Sequence, residues 1–135
     1  MLSYATERKQ EEGRREQGGG RLEADELARK IVDAVSDKQA EDVLLLDIRN
    51  VASFADYFVI ASGTANRQIQ AIIEAVEQAM KAEGAKPLGR EGKADSGWVL
   101  LDYGDVIVHI FAPEEREYYD LEGLWHTATQ VVRIQ

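Results

Sequence analysis

Two histidines, a Ser-Gly-Thr step and a pair of aspartates are the residues of this chain whose types could do chemistry. His109 and His126 stand in no HxE, HExxH or HxxxH arrangement, and the 135 residues include no cysteine to complete a transition-metal site. Each reads as a structural histidine. Ser62, His109 and Asp56 could be drawn as a Ser/His/Asp triad, but Ser62 lies in Ala61-Ser62-Gly63-Thr64-Ala65 rather than in G-x-S-x-G. Ser62-Gly63, after an expected strand and before an expected helix, invites a phosphate at the helix N-terminus. There is no P-loop lysine and no G-x-G-x-x-G, and a tight turn with Thr64 as N-cap accounts for the same residues. Asp102 and Asp105 form D-x-x-D, which lacks the third and fourth oxygen ligands of a firm divalent-cation site. No constellation rises to an enzyme, and the expectation is no catalytic residue, no metal and no cofactor.

The elements that must position these residues follow from periodicity. Residues 1–20 mix charges, Gln and a closing Gly18-Gly19-Gly20 with almost no apolar side chains, and read as a mobile tail ahead of a single domain at 21–135. Leu22, Leu27, Ile31, Val32 and Val35 recur at helical spacing and predict a helix over about 23–38. Val43 to Ile48 and Asp56 to Ala61 read as strands, with a loop between them long enough for antiparallel pairing. Ile69, Ile72, Ile73, Val76 and Met80 mark a second helix that stops near Gly84. Lys86 to Gly89 suits a short edge strand, Arg90 to Gly97 a polar loop, and Trp98 to Phe111 a hairpin with Tyr103-Gly104 in its turn. Glu114-Glu115-Arg116 opens a helical turn, and Leu121 to Ile134 reads as a last helix with Leu124, Ala128, Val131 and Val132 inward. The fold class is α/β: one domain with a mixed β-sheet flanked by helices.

Charge narrows the partner. The chain has 25 acidic residues against 16 Lys plus Arg, a formal net charge of -9. Residues 1–24 carry five acids and five bases, so 20 acids and 11 bases remain for residues 25–135, and the whole excess sits in the domain. Such a surface speaks against broad nucleic-acid binding and leaves a basic protein partner open. No run reaches 18 apolar residues, and the N-terminus has no apolar stretch of signal-peptide length, so the expected setting is the cytoplasm, with no membrane partner.

With Tyr103-Gly104 as a two-residue turn, Asp102 would oppose Asp105 and Leu100 would oppose Ile107. One hairpin face then carries Val99, Leu101, Val106, Val108 and Ile110, all aliphatic and fit for a core. The other carries Trp98, Leu100, Asp102, Asp105, Ile107 and His109. Two opposed carboxylates repel and resist burial. That face is either covered by the C-terminal helix at its Trp end or exposed as an interaction patch with a Trp anchor and an acidic rim.

The run Asp56-Tyr57-Phe58-Val59-Ile60-Ala61-Ser62-Gly63, followed by Arg67-Gln68 and Ala71-Ile72, resembles the first signature of the Iojap-like family, the ribosomal silencing factors. The resemblance continues through Glu91-Gly92, the block Gly97 to Phe111, Arg116, Tyr118-Tyr119, Leu121-Glu122 and Leu124-Trp125, and covers about residues 23–128. It implies a protein that binds the large ribosomal subunit through a ribosomal protein at the subunit-joining face. Occupying that face blocks the small subunit and represses translation; relatives in organelles assist large-subunit assembly. It also implies a topology similar to nucleotidyltransferases. Those enzymes carry Gly-Ser followed by D-x-D, where this chain has Ser62-Gly63 and D-x-x-D, so the catalytic motif is absent. The resemblance maps the partner surface onto the hairpin: Trp98, Leu100, Asp102, Tyr103, Asp105 and His109, with Arg116, Tyr119 and Trp125 as further family-pattern residues. A homodimer through the same residues is a further expectation.

Overall fold

The computed structural model describes residues 22–135. The expectation of a mobile segment at 1–20 lies outside the described residues. Helix α1, Ala24–Asp37, buries Ile31, Val32 and Val35 of the expected stripe together with Ala28, while Leu27 is half-buried and Leu22 precedes the helix. The Glu26 side chain accepts the Glu23 backbone N–H at 3.0 Å, which satisfies one of the free donors at the helix start. Strands β1, Glu41–Asp47, and β2, Tyr57–Ser62, pair antiparallel as expected.

Helix α2, Asn66–Ala82, buries Ile69, Ile72, Ile73, Val76 and Met80. Its N-cap is Ala65, not Thr64. Gln68 serves this end instead: its Oε1 accepts the Thr64 N–H at 2.8 Å and its Nε2 donates to the Gln39 carbonyl at 2.9 Å. A long amide thus reaches both the turn before α2 and the loop after α1, which the short threonine hydroxyl does not.

Strand β3 runs over Gly89–Glu91, beyond the expected Lys86 to Gly89, so Arg90 and Glu91 belong to a strand rather than a loop. Pro87 has no N–H to give the neighbouring strand, and the ladder forms after it. A short 3-10 turn, Ala94–Ser96, leads into β4, Trp98–Asp102, and β5, Val106–Phe111.

The hairpin between β4 and β5 is displaced from the expected register. Leu100 faces His109 and Asp102 faces Ile107. The Tyr103 N–H donates to the Val106 carbonyl at 2.9 Å, so Gly104 and Asp105 make the turn. Gly104 supplies the positive φ, 87°, that a tight hairpin turn needs at its first central position. The shift is two residues, and because it is even each strand side chain keeps its expected face. Asp102 and Asp105 are therefore not opposed.

The end of the chain departs furthest from expectation. Helix α3, Pro113–Tyr119, and the single turn α4, Leu121–Leu124, are followed by strand β6, Thr129–Ile134. The expected helix over Leu121 to Ile134 does not form beyond its first four residues. Thr129-Gln130-Val131-Val132-Arg133-Ile134 is rich in β-branched residues and adds to the edge of β1, with Val132 opposite Leu45 and Ile134 opposite Val43. Leu124 and Val131 are exposed rather than inward.

The six strands lie in the order β3-β4-β5-β2-β1-β6, with β2 and β5 parallel and every other pair antiparallel. The parallel pair is buried along its whole length, as parallel strands require. Helices α1 and α2 cover one face, over Val59, Val99, Leu101, Val106, Val108 and Ile110. The loop between β1 and β2, with Val51, Ala52, Phe54 and Ala55, joins Leu121 and Trp125 to cover the other. No helix among the described residues is long and apolar enough to cross a membrane.

Candidate partner-binding surface

The second face of the hairpin is buried, against the reading of it as an open patch. Leu100 and His109 are fully buried, and Asp102 is 2% exposed. Tyr103 and Asp105 are buried at the turn. The Asp102 carboxylate accepts the Gly104 N–H at 2.8 Å, a bond that compensates its removal from water. Tyr103 lies on the helix-covered face, where burial pushes its phenol up to about 12. Desolvation pushes the His109 imidazole down to about 3.

What remains accessible clusters at the other end of the hairpin, about 13 Å along β4 from Asp102 at 3.3 Å per residue. Trp98 is half-buried at the start of β4. Its ring stacks on Phe111, with centroids 4.9 Å apart, and meets Tyr119 at 4.5 Å. Tyr119 is 49% exposed, and Tyr118, edge-on to it at 5.0 Å, is 81% exposed. Leu124 is 62% exposed on the next turn. Trp125 is half-buried and packs edge-on against Phe54 and Phe58, at 5.8 and 5.4 Å. A shallow depression of about 550 Å³ beside this cluster is lined by Glu114, Glu115, Glu117, Tyr118 and Tyr119.

Local sequence explains why this segment presents aromatic residues to solvent. Pro113 is pre-set for the first helical position, and Glu114 and Glu115 complement the helix dipole. Adjacent tyrosines on a helix of seven residues cannot both point inward. Asp120 then breaks the helix with φ 46°, and its carboxylate accepts the Gly123 N–H at 3.1 Å to start α4.

Arg116 sits beneath the segment and is buried. It donates to Glu122 through Nε and Nη2 at 3.1 and 2.9 Å and to the Ser62 hydroxyl through Nη1 at 2.9 Å. Asp42 lies 3.5 Å from the same guanidinium and 2.9 Å from Arg133 on β6. The guanidinium therefore ties α3 and α4 to the end of β2 and faces the protein's own groups.

The chemical readings weighed from sequence resolve in the same geometry. Ser62 is engaged by Arg116, and His109 Nδ1 by Trp98, while Asp56 precedes β2 at the end opposite Ser62, so the three do not assemble. A Cβ on Gly63 would stand 2.8 Å from Ile69, so that glycine is needed for close packing of α2. Among the described residues no group of three or more His, Asp or Glu side chains could hold a metal ion.

Of the expected partner residues, Trp98 and Tyr119 form one accessible pair, Trp125 packs on the same apolar cluster as Trp98, and Leu100 and His109 are buried on that face. Asp102, Tyr103 and Asp105 occupy the far end. Tyr118, Leu124 and the acids of α3 were not among the expected residues. Pro-Glu-Glu followed by paired tyrosines is the signal that marks them.

Comparison with known proteins agrees with the resemblance. The family described as "Ribosomal silencing factor during starvation" matches residues 21–135. The ribosomal silencing factor RsfS of Halalkalibacterium halodurans is 41% identical over 106 residues, covering 78% of this chain and 91% of that protein. The mouse protein named mitochondrial assembly of ribosomal large subunit protein 1 is 31% identical over 98 residues, 70% of this chain and 43% of that protein. A crystal structure of a protein from Chromobacterium violaceum superposes with a TM-score of 0.75 at 32% identity, covering 84% of this chain and 94% of that one. A match across nearly every described residue, in sequence and in fold, decides the assignment: the chain belongs to the ribosomal silencing factor family.

Proposed function

We propose that this protein binds the large ribosomal subunit through a basic ribosomal protein on the face where the small subunit docks, and represses translation by blocking subunit association. One observation carries the choice of surface. Trp98 and Tyr119 form an accessible aromatic pair beside Glu114, Glu115 and Glu117. Aromatic anchors with a charged rim are the anatomy of an energetic hot spot, and an acidic rim selects a basic protein rather than RNA. The action is occupancy rather than catalysis; the Arg116 bond to Ser62 supports this, since it engages the hydroxyl nearest the expected phosphate turn. A symmetric homodimer would use the same exposed aromatic groups and so compete with the subunit.

Co-sedimentation with purified bacterial large subunits tests the reading. Wild type should pellet with them and Tyr119→Ala should not, while both keep the same circular dichroism spectrum. Equal pelleting of the two would remove this surface from consideration. The name of the mouse relative favours a second reading, an assembly factor that uses the same contact. Depletion in cells separates the two: silencing predicts excess joined ribosomes in starvation, and assembly predicts accumulated large-subunit precursors during growth.

A further inference from the structure

His109 is walled by Phe58, edge-on at 4.8 Å, and by Phe111, while its neighbours on the adjoining strands are Leu100 and Ile60. A phenylalanine or leucine would suit such an apolar setting. The imidazole instead brings two nitrogens out of water, and Nε2 has no hydrogen-bond partner among the described residues. That omission costs stability. The other nitrogen, Nδ1, lies 3.1 Å from Trp98 Nε1. An indole N–H only donates, so Nδ1 must accept and the proton must sit on the unpartnered Nε2. The hydrogen bond of this buried residue is thus made to one side chain, the accessible tryptophan diagonal to it across the hairpin. Stacking on Phe111 leaves the indole free to slide in its plane, Tyr119 meets it only at a tilt, and the hydrogen bond removes that freedom.

We propose that His109 is a positioning residue for partner docking: it accepts the Trp98 indole N–H and holds the ring in the conformation the partner meets. A fixed anchor has less entropy to lose on binding. The proposal rests on the reading of Trp98 as a partner anchor, and the test separates the two. Binding to purified bacterial large subunits is measured for His109→Phe, His109→Asn, Trp98→Ala and the double variant Trp98→Ala/His109→Phe, alongside each thermal midpoint.

His109→Phe should keep or raise the midpoint and weaken binding about 2- to 12-fold, the loss of one neutral hydrogen bond. His109→Asn, which places an acceptor near the Nδ1 position in a smaller side chain, should lower the midpoint and bind within about twofold of wild type. In the Trp98→Ala background His109→Phe should cost nothing further. Long-range nitrogen–proton spectra should show the Nε2-protonated tautomer. Affinity that tracks stability through both histidine variants, or an Nδ1-protonated ring, overturns the positioning role. If His109→Phe binds like wild type while Trp98→Ala does not, the positioning role falls and the anchor stands. If Trp98→Ala itself binds like wild type, both fall.

Discussion

The Arg116 guanidinium donates to the Ser62 hydroxyl at 2.9 Å, joining α3 to the last residue of the central strand across 54 positions of sequence. With its bonds to Glu122, this contact seats the whole aromatic segment on the sheet. We predict that Arg116→Met lowers unfolding stability by about 2–3 kcal/mol, less than a fully buried pair because Glu122 keeps some solvent. Ser62→Ala should cost only about 1 kcal/mol. Urea denaturation measures both, and equal effects would mean that Glu122 contributes little.

Asp102 behaves differently from a rim charge. Its carboxylate is buried and holds the Gly104 N–H. We expect Asp102→Lys to destabilise the fold by about 2–4 kcal/mol, since it strands a charge in the interior and removes the turn bond. Thermal melting checks this; an unchanged midpoint would mean the side chain escapes to solvent and that Asp102 is available to a partner.

The acids of α3 are the better candidates for steering. Glu114 and Glu117 are exposed beside Tyr118 and Tyr119. Reversing both to Lys should slow association with large subunits about tenfold at low salt and leave dissociation nearly unchanged. The difference should shrink as ionic strength rises. Surface-immobilised subunits and a salt series measure it. A change confined to dissociation would place these acids in direct contact instead.

His109 gives a pH dependence with a definite sign. Its imidazole lies at about 3 in the folded chain, against an ordinary 6.5. Between those values the unfolded state binds the extra proton, so stability is complete above pH 6.5 and is lost as pH falls toward 3. The loss approaches about 1.4 kcal/mol per pH unit. His109→Phe should flatten this part of the profile, as read by urea midpoints from pH 7 to 4. A slope identical to wild type would assign the acid sensitivity to carboxylates.

Much of the fold is legible in the sequence where one period dominates. The 3.6-residue stripes of α1 and α2 have no competing reading, and the aliphatic runs of β1 and β2 are too short for helices. Even the misplaced hairpin turn preserved its faces, because the pairing moved by two. The last strand was not legible. Leu124, Ala128, Val131 and Val132 fit a helical stripe, and only pairing with β1, over 80 residues away in sequence, decides for a strand. Burial of the Trp98 face was hidden for a related reason. Its cover comes from Val51, Ala52, Phe54 and Ala55, in a segment that reads as a plain loop. The expected acids at the turn are buried, and the exposed Tyr118, Tyr119 and Leu124 stand on α3 and α4.

Subunit joining in a purified system tests the central claim most directly. Small and large bacterial subunits are mixed at the magnesium concentration that supports association, and light scattering follows the joined particle. A stoichiometric excess of this protein, incubated first with the large subunit, should suppress joining, and Tyr119→Ala should restore it. Joining at the same rate and extent with wild-type protein present would contradict the account.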